Sequence, residues 1–168
     1  PVKKNVRLIL GTDEECGSSD IAVYYKQEKE APMTFSPDAE FPVINVEKGR
    51  LPGHFVASFE KSDAMPKLVK IDAGLKSNVV PGKAKAVVAG VEDAVLNETA
   101  AAVTKETEVT FTFTGCEEGV LITAEGEGAH ASTPEEGKNA LTALLMLITK
   151  LPLKSSSPAF LTSASASP

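Results

Sequence analysis

The clearest patterning in the chain lies between residues 109 and 124. Val109, Phe111 and Phe113 alternate with Thr110, Thr112 and Thr114, the period-two signature of an antiparallel strand with one face buried. Gly115-Cys116-Glu117-Glu118-Gly119 then supplies a turn into a partner strand running from Val120 to Ala124. Upstream, Ala84, Ala86 and Val88 mark one face of a predicted strand from Lys83 to Ala89, and Phe55 to Phe59 and Leu68 to Ile71 read as two more. A helix is expected from Glu92 to about Lys105. A stronger one follows Thr133-Pro134-Glu135-Glu136, which offers an N-cap, a proline at the first helical position and a glutamate able to close a capping box. Leu141, Leu144, Leu145 and Ile148 then fall at i, i+3, i+4 and i+7, a single apolar stripe. This order predicts an α+β module with both helices on one sheet face.

The N-terminal part differs. Val6-Arg7-Leu8-Ile9-Leu10 reads as a buried strand, Ser18-Ser19-Asp20 as the cap of a short helix carrying Ile21, Val23 and Tyr24, and Val43-Ile44-Asn45-Val46 as a second short strand. Residues 1–49 therefore read as a piece of an α/β domain and residues 50–152 as the α+β module. Residues 153–168 are Ser/Ala/Pro-rich and lose periodicity. A proline start immediately ahead of an interior-type strand reads as the inside of a longer polypeptide.

Composition narrows the function classes. Seventeen basic against 23 acidic residues give a net charge of −6, with no basic run and no Trp. A nucleic-acid surface needs clustered Lys and Arg, so that class is set aside. No stretch approaches the ~20 apolar residues of a membrane span, and the polar, basic N-terminus does not read as a signal peptide. Two cysteines, Cys16 and Cys116, are too few for a secreted disulfide scaffold, and a reducing cytoplasm is the expected location. Cys16 reads as a small packed thiol rather than a nucleophile.

Candidate chemistry is concentrated at four places. Glu14 and Glu15 follow the first predicted strand in Gly11-Thr12-Asp13-Glu14-Glu15, where open α/β sheets hold ligands. Neighbouring carboxylates there point apart, so one can hold a metal while the other carries a proton; the plain alternative is a solvated acidic loop. Asp38 lies in Ser36-Pro37-Asp38-Ala39-Glu40-Phe41-Pro42, where two prolines stiffen a short acidic segment, or where Asp38 closes an Asx-type turn. His130, in Gly126-Glu127-Gly128-Ala129-His130-Ala131-Ser132-Thr133-Pro134, sits among small residues and could donate to a developing oxyanion or to a carboxylate; the alternative is polar surface, which is also the reading for His54. Asn78, in Gly74-Leu75-Lys76-Ser77-Asn78-Val79-Val80-Pro81-Gly82, serves its local backbone or reaches a ligand.

Taken together these segments resemble the dinuclear-zinc aminoacylase, carboxypeptidase and dipeptidase family of metallopeptidases, closest to its bacterial dipeptidase V (Xaa-dipeptidase, carnosinase-like) branch. Gly11-Thr12-Asp13-Glu14-Glu15 with Gly17, and Phe35-Ser36-Pro37-Asp38-Ala39-Glu40-Phe41-Pro42, resemble two consecutive active-site motifs. Asn78-Val79-Val80-Pro81 and Gly128-Ala129-His130-Ala131-Ser132 resemble two motifs of the inserted lid domain. The resemblance covers about residues 5 to 152. It implies an α/β segment of a zinc-peptidase catalytic domain followed by an α+β, ferredoxin-like lid, and a parent enzyme that hydrolyses small peptides with two zinc ions per site, manganese or cobalt being alternatives.

Residue by residue, the resemblance implies that Glu14 takes a proton from the metal-bridging water and that Glu15 and Asp38 each ligate one zinc. It implies that His130 is catalytic and substrate-binding, polarising the scissile carbonyl, and that Asn78 contacts the substrate backbone or carboxylate. Two zinc ions lower the pKa of a bridging water, and carboxylates and imidazoles satisfy zinc without cysteine. The family's upstream His-x-Asp motif, bridging aspartate and late histidine have no counterpart, since His54 and His130 are the only histidines. This chain by itself is therefore expected to bind zinc poorly and to hydrolyse nothing. Alternative functions are a non-catalytic binding or dimerisation module, for which an exposed edge strand near Val109 to Thr114 would be the sign, and a related amidohydrolase acting on acylamino acids.

Overall fold

The computed structural model describes residues 3–38, 42–49, 51, 53 and 62–154. The chain divides into two units, Pro1–Glu47 and Lys48–Pro168. Among its described residues the first carries the α-helix α1 (Ser19–Gln27). The second carries β1 (Lys67–Ala73), β2 (Val79–Val80), β3 (Lys83–Ala89), α2 (Asp93–Thr107), β4 (Thr110–Cys116), β5 (Gly119–Glu125), β6 (Ala129–His130) and α3 (Ala140–Lys150).

The alternation read from the sequence becomes a sheet with unlike faces. Its strand order is β1-β3-β5-β4, every neighbouring pair antiparallel. Register aligns Ala86 with Ile122 and Ile122 with Phe113 on one face; Lys85 with Thr123 and Thr123 with Thr112 lie on the other. The first row is covered by the helices. Ala84, Ala86 and Ala124 on the strands are buried under Leu96, Val103, Leu144, Leu147 and Ile148 of α2 and α3. Small side chains on the sheet let α3 approach β3 and β5, and large ones on the helices fill the gap at core density. Within the four-stranded sheet, β3, α2 and β4 with β5 lying between the two strands form a split βαβ arrangement, and β1 occupies the far edge beside β3.

The β4–β5 hairpin turns at Glu117 and Glu118, with Cys116 paired to Gly119. Gly119 has φ of 140°, and a Cβ there would come within 2.2 Å of the Val88 carbonyl oxygen, so only glycine lets this hairpin lie against β3. Cys116 is a free, exposed thiol.

Three expectations are corrected. The last helix does not begin at Thr133-Pro134. Pro134–Glu136 is a single 3-10 turn, in which the Thr133 hydroxyl donates to Glu136 Oε2 at 3.1 Å. The next residues leave the helical path because Lys138 exchanges two backbone hydrogen bonds with Glu127, at 2.8 and 3.0 Å. α3 then starts at Ala140, capped by Asn139, whose Oδ1 accepts from the backbone N–H groups of Leu141 at 3.0 Å and Thr142 at 3.1 Å.

The stripe on α3 is also rotated. Its buried set is Ala140, Ala143, Leu144, Leu147 and Ile148, with Leu141 and Leu145 half-buried at its flank. Ala140, Ala143 and Leu147 extend the buried face to the side of Leu144 away from Leu141 and Leu145, so a stripe read from Leu141, Leu144, Leu145 and Ile148 misplaces the axis.

The strands expected over 6–10 and 43–46 are absent: no strand forms among the described residues of the first unit. A strand needs a neighbour's N–H and C=O groups, and Val6, Leu8 and Leu10 are each about four-fifths exposed. Arg7 instead ties this segment to α1, donating to the Tyr24 hydroxyl at 3.0 Å and lying 3.4 Å from Glu28. The strand expected over 55–59, His54, and nearly all of the tail lie outside the described residues.

The cap assignment is testable. Asn139→Ala is expected to lower the unfolding free energy by about 1 kcal/mol, whereas Thr133→Ala stays within ~0.5 kcal/mol of wild type. Equal losses in urea denaturation would return the helix start to Thr133.

Candidate functional site

In the first unit the acidic pair sits on a tight turn rather than at a strand end. Glu14–Cys16 form one 3-10 turn, and Glu14 and Glu15 are exposed. Two aspartates clip the turn from either side. Asp13 Oδ2 accepts from the Ser19 backbone N–H at 2.9 Å and from the Ser19 hydroxyl, so Asp13, not Ser18, satisfies the start of α1. Asp20 Oδ2 accepts from the Thr12 backbone N–H, and its Oδ1 from the Ile21 N–H at 2.8 Å. The bond from Thr12 is the main reason Asp20 is held below the ordinary aspartate range, with the Ile21 bond adding to it.

Asp38 is described and exposed, while its neighbours Ala39, Glu40 and Phe41 lie outside the described residues. Among the described residues no group of three or more His, Cys, Asp or Glu side chains could hold a metal ion.

In the second unit the two remaining candidates are brought together. β2 pairs with β6 so that Val79 faces His130 and Val80 faces Ala129, and the Asn78 carbonyl accepts from the Ala131 N–H at 2.8 Å. The ladder continues on both sides: Gly126 N–H donates to the Gly82 carbonyl at 2.9 Å, and Ala140 N–H to the Pro81 carbonyl at 2.8 Å. Segments 78–82, 126–131 and 138–140 therefore form one backbone-bonded patch. Its closeness explains Gly126, where a Cβ would lie 2.1 Å from the Lys138 carbonyl oxygen.

His130 is exposed and held at one nitrogen. Its Nδ1 lies 3.2 Å from the Ser132 backbone nitrogen, which donates to it, and 2.7 Å from Ser132 Oγ. Lys48 Nζ donates to the Ser132 carbonyl. The sequence alone gives no role to Asp13, Lys48 or Ser132, and gives Asp20 only a part in the cap of α1. Asp13 adjoins the glutamate pair and Ser132 stands two residues after His130, both within reach of local side chain to backbone bonding. Lys48 leaves no such signal, being 84 residues from Ser132.

Residues 118–165 match the family model of a peptidase dimerisation domain. The Beta-Ala-Xaa dipeptidase of Lactobacillus delbrueckii subsp. lactis is 34% identical over 148 residues, 87% of this chain and 31% of that protein. A Staphylococcus epidermidis (strain ATCC 12228 / FDA PCI 1200) protein named "Putative dipeptidase" is 33% identical over 165 residues, 94% of this chain and 34% of its own length. The chain belongs to the M20 peptidase family. A further relative, "Putative dipeptidase YtjP" of Bacillus subtilis (strain 168), is 42% identical over 92 residues, 54% of this chain and 20% of that protein. The chain thus spans between a fifth and about a third of these M20 proteins. No described helix is long and apolar enough to cross a membrane.

The clip on the acidic turn has a pH signature. Asp20 has its folded pKa lowered, so its stabilisation is present above the ordinary aspartate value of ~3.9 and is lost as pH falls through the folded pKa. Carboxyl-detected NMR is expected to give Asp20 a midpoint below that of a model aspartate, with the Thr12 amide signal moving in step. A midpoint at or above the model value would remove the clip.

Proposed function

We propose that this chain is the substrate-recognition part and half of the acid–base machinery of a zinc-dependent dipeptidase. The observation that supports the reading is the β2–β6 ladder, which pairs Val79 with His130 and bonds the Asn78 backbone carbonyl to the Ala131 N–H, so that the backbone segments carrying Asn78 and His130 run side by side. Segments tied to each other through their backbones can offer polar groups to a short peptide at little ordering cost. His130 is assigned to polarise the scissile carbonyl and Asn78 to contact the substrate's backbone or carboxylate. Glu14 is assigned as the base that takes a proton from the attacking water and returns it to the leaving amine.

Glu15 and Asp38 are assigned as metal ligands whose set is completed by residues this chain does not hold. The names of the relatives favour dipeptides, including β-alanyl ones, over acylamino acids.

A chimera tests this. Residues 5–152 are placed in the Lactobacillus Beta-Ala-Xaa dipeptidase in exchange for the matching segment, and the zinc-loaded protein is assayed on β-alanyl dipeptides. The chimera is expected to hydrolyse them, with Glu14→Gln lowering kcat about 10²–10⁴-fold and His130→Ala about 10²–10³-fold. The isolated chain is expected to hold less than one equivalent of zinc and to release no amino acid. Unchanged kcat in His130→Ala, or two tightly held zinc ions on the isolated chain, would overturn these assignments.

One observation favours a second role, subunit contact. β4 is an edge strand whose residues Thr110–Cys116 include neither a proline nor a charge, the features that normally protect an edge. At the other edge, β1 carries Lys67, Lys70, Asp72 and a register shift between Leu68 and Lys70. On this reading two copies pair through β4. Sedimentation is expected to find a dimer at high micromolar concentration that Thr112→Lys dissociates; a monomer throughout would dismiss the role.

A further inference from the structure

We infer that Ser132 is a positioning residue that fixes His130 in the neutral form carrying its proton on Nε2, so that the ring can only donate toward a ligand. The argument rests on which groups face Nδ1. A backbone N–H donates and cannot accept, and that of Ser132 lies 3.2 Å from Nδ1, which must therefore present its lone pair. The Ser132 hydroxyl, 2.7 Å away, can rotate its hydrogen toward the same lone pair. With Nδ1 unprotonated, the single proton of the neutral ring resides on Nε2, which no acceptor engages among the described residues.

The frame around this latch is itself tied down. His130 is paired with Val79 across β2–β6, its carbonyl accepts from the Thr133 N–H at 3.0 Å, and the Ser132 carbonyl accepts from Lys48. Ring and partner are both bonded through the backbone, so the 130–132 contact does not depend on a mobile side chain alone.

The consequence is a choice among chemical roles open to a histidine. A ring with its lone pair engaged at Nδ1 and a proton on Nε2 neither accepts a proton at Nε2 nor offers that nitrogen to a cation. It offers one donor, suited to the oxygen of a carbonyl or a carboxylate. This deepens the proposed function and rests on its placing of His130 against substrate; it names the ligand atom as an oxygen acceptor and removes His130 from the pool of bases and metal ligands.

The test is made on the full chain without ligand. Long-range ¹H–¹⁵N correlation spectra of the ¹⁵N-labelled protein, at a pH where the rings are neutral, distinguish protonated from bare imidazole nitrogens. A His54→Gln variant identifies the His130 signals. His130 is expected with bare Nδ1 and protonated Nε2 in roughly tenfold excess, the factor one net hydrogen bond can supply. Ser132→Thr is expected to match wild type and Ser132→Ala to keep the same form through the remaining N–H. Ser132→Pro, which deletes that N–H, is expected to reduce the excess several-fold.

An even mixture or a proton on Nδ1 in the wild-type protein overturns the inference, and that measurement needs no variant to fold. An unchanged balance in a folded Ser132→Pro protein overturns it as well. Addition of β-alanyl-alanine then separates the two layers: if the His130 signals do not respond, the substrate-facing assignment falls while the ring state stands on its own spectrum.

Discussion

The second unit depends on how closely three stretches of backbone approach one another. Residues 78–82, 126–131 and 138–140 share a continuous run of N–H to C=O bonds, and these bonds need inter-chain spacing that no side chain may interrupt. Gly126 meets that demand. From this patch the chain leaves into β3 at one end and α3 at the other, so sheet, helix layer and histidine edge are anchored on a common piece of backbone. Burial of Ile122, Leu144 and Ile148 supplies the apolar driving force, while the patch decides where the polar loop is held relative to that core.

The first unit is organised by a different principle. Its acidic pair is exposed, and its geometry comes from two neighbouring carboxylates that bind backbone N–H groups, Asp13 at the start of α1 and Asp20 at Thr12. Charged acceptors bonded to N–H groups are stronger than neutral ones, which suits a turn with little apolar surface beneath it. The aspartates give Glu14 and Glu15 a fixed base.

Legibility in the sequence followed the range of the interactions. β3, β4 and β5 were readable because the half-buried sheet imposes period two on Ala84-Lys85-Ala86 and on Phe111-Thr112-Phe113. α2 was placed within two residues at its C-terminal end. The start of α3 was misread because Thr133-Pro134-Glu135-Glu136 satisfies local capping rules, whereas the outcome was set by a ladder between Lys138 and Glu127 that local sequence does not encode. The 6–10 and 43–46 segments have strand-like composition, but a ladder is a property of two segments, and no partner strand lies among the described residues of that unit. At the site, the pairing of the Asn78 and His130 segments became visible only through β2–β6, strands of two residues each, too short for any periodicity. The contact of Lys48 with Ser132 spans 84 residues and left no trace at all.

Asn139 and Lys138 are adjacent, one opening α3 and the other bonded to the strip that leads to His130. A three-residue leash from Lys138 to Ala140 therefore couples the first helical turn to the imidazole's loop. Warming that frays the turn slackens the loop with it, so heat tolerance and ligand recognition in this unit are expected to drift together as sequences diverge.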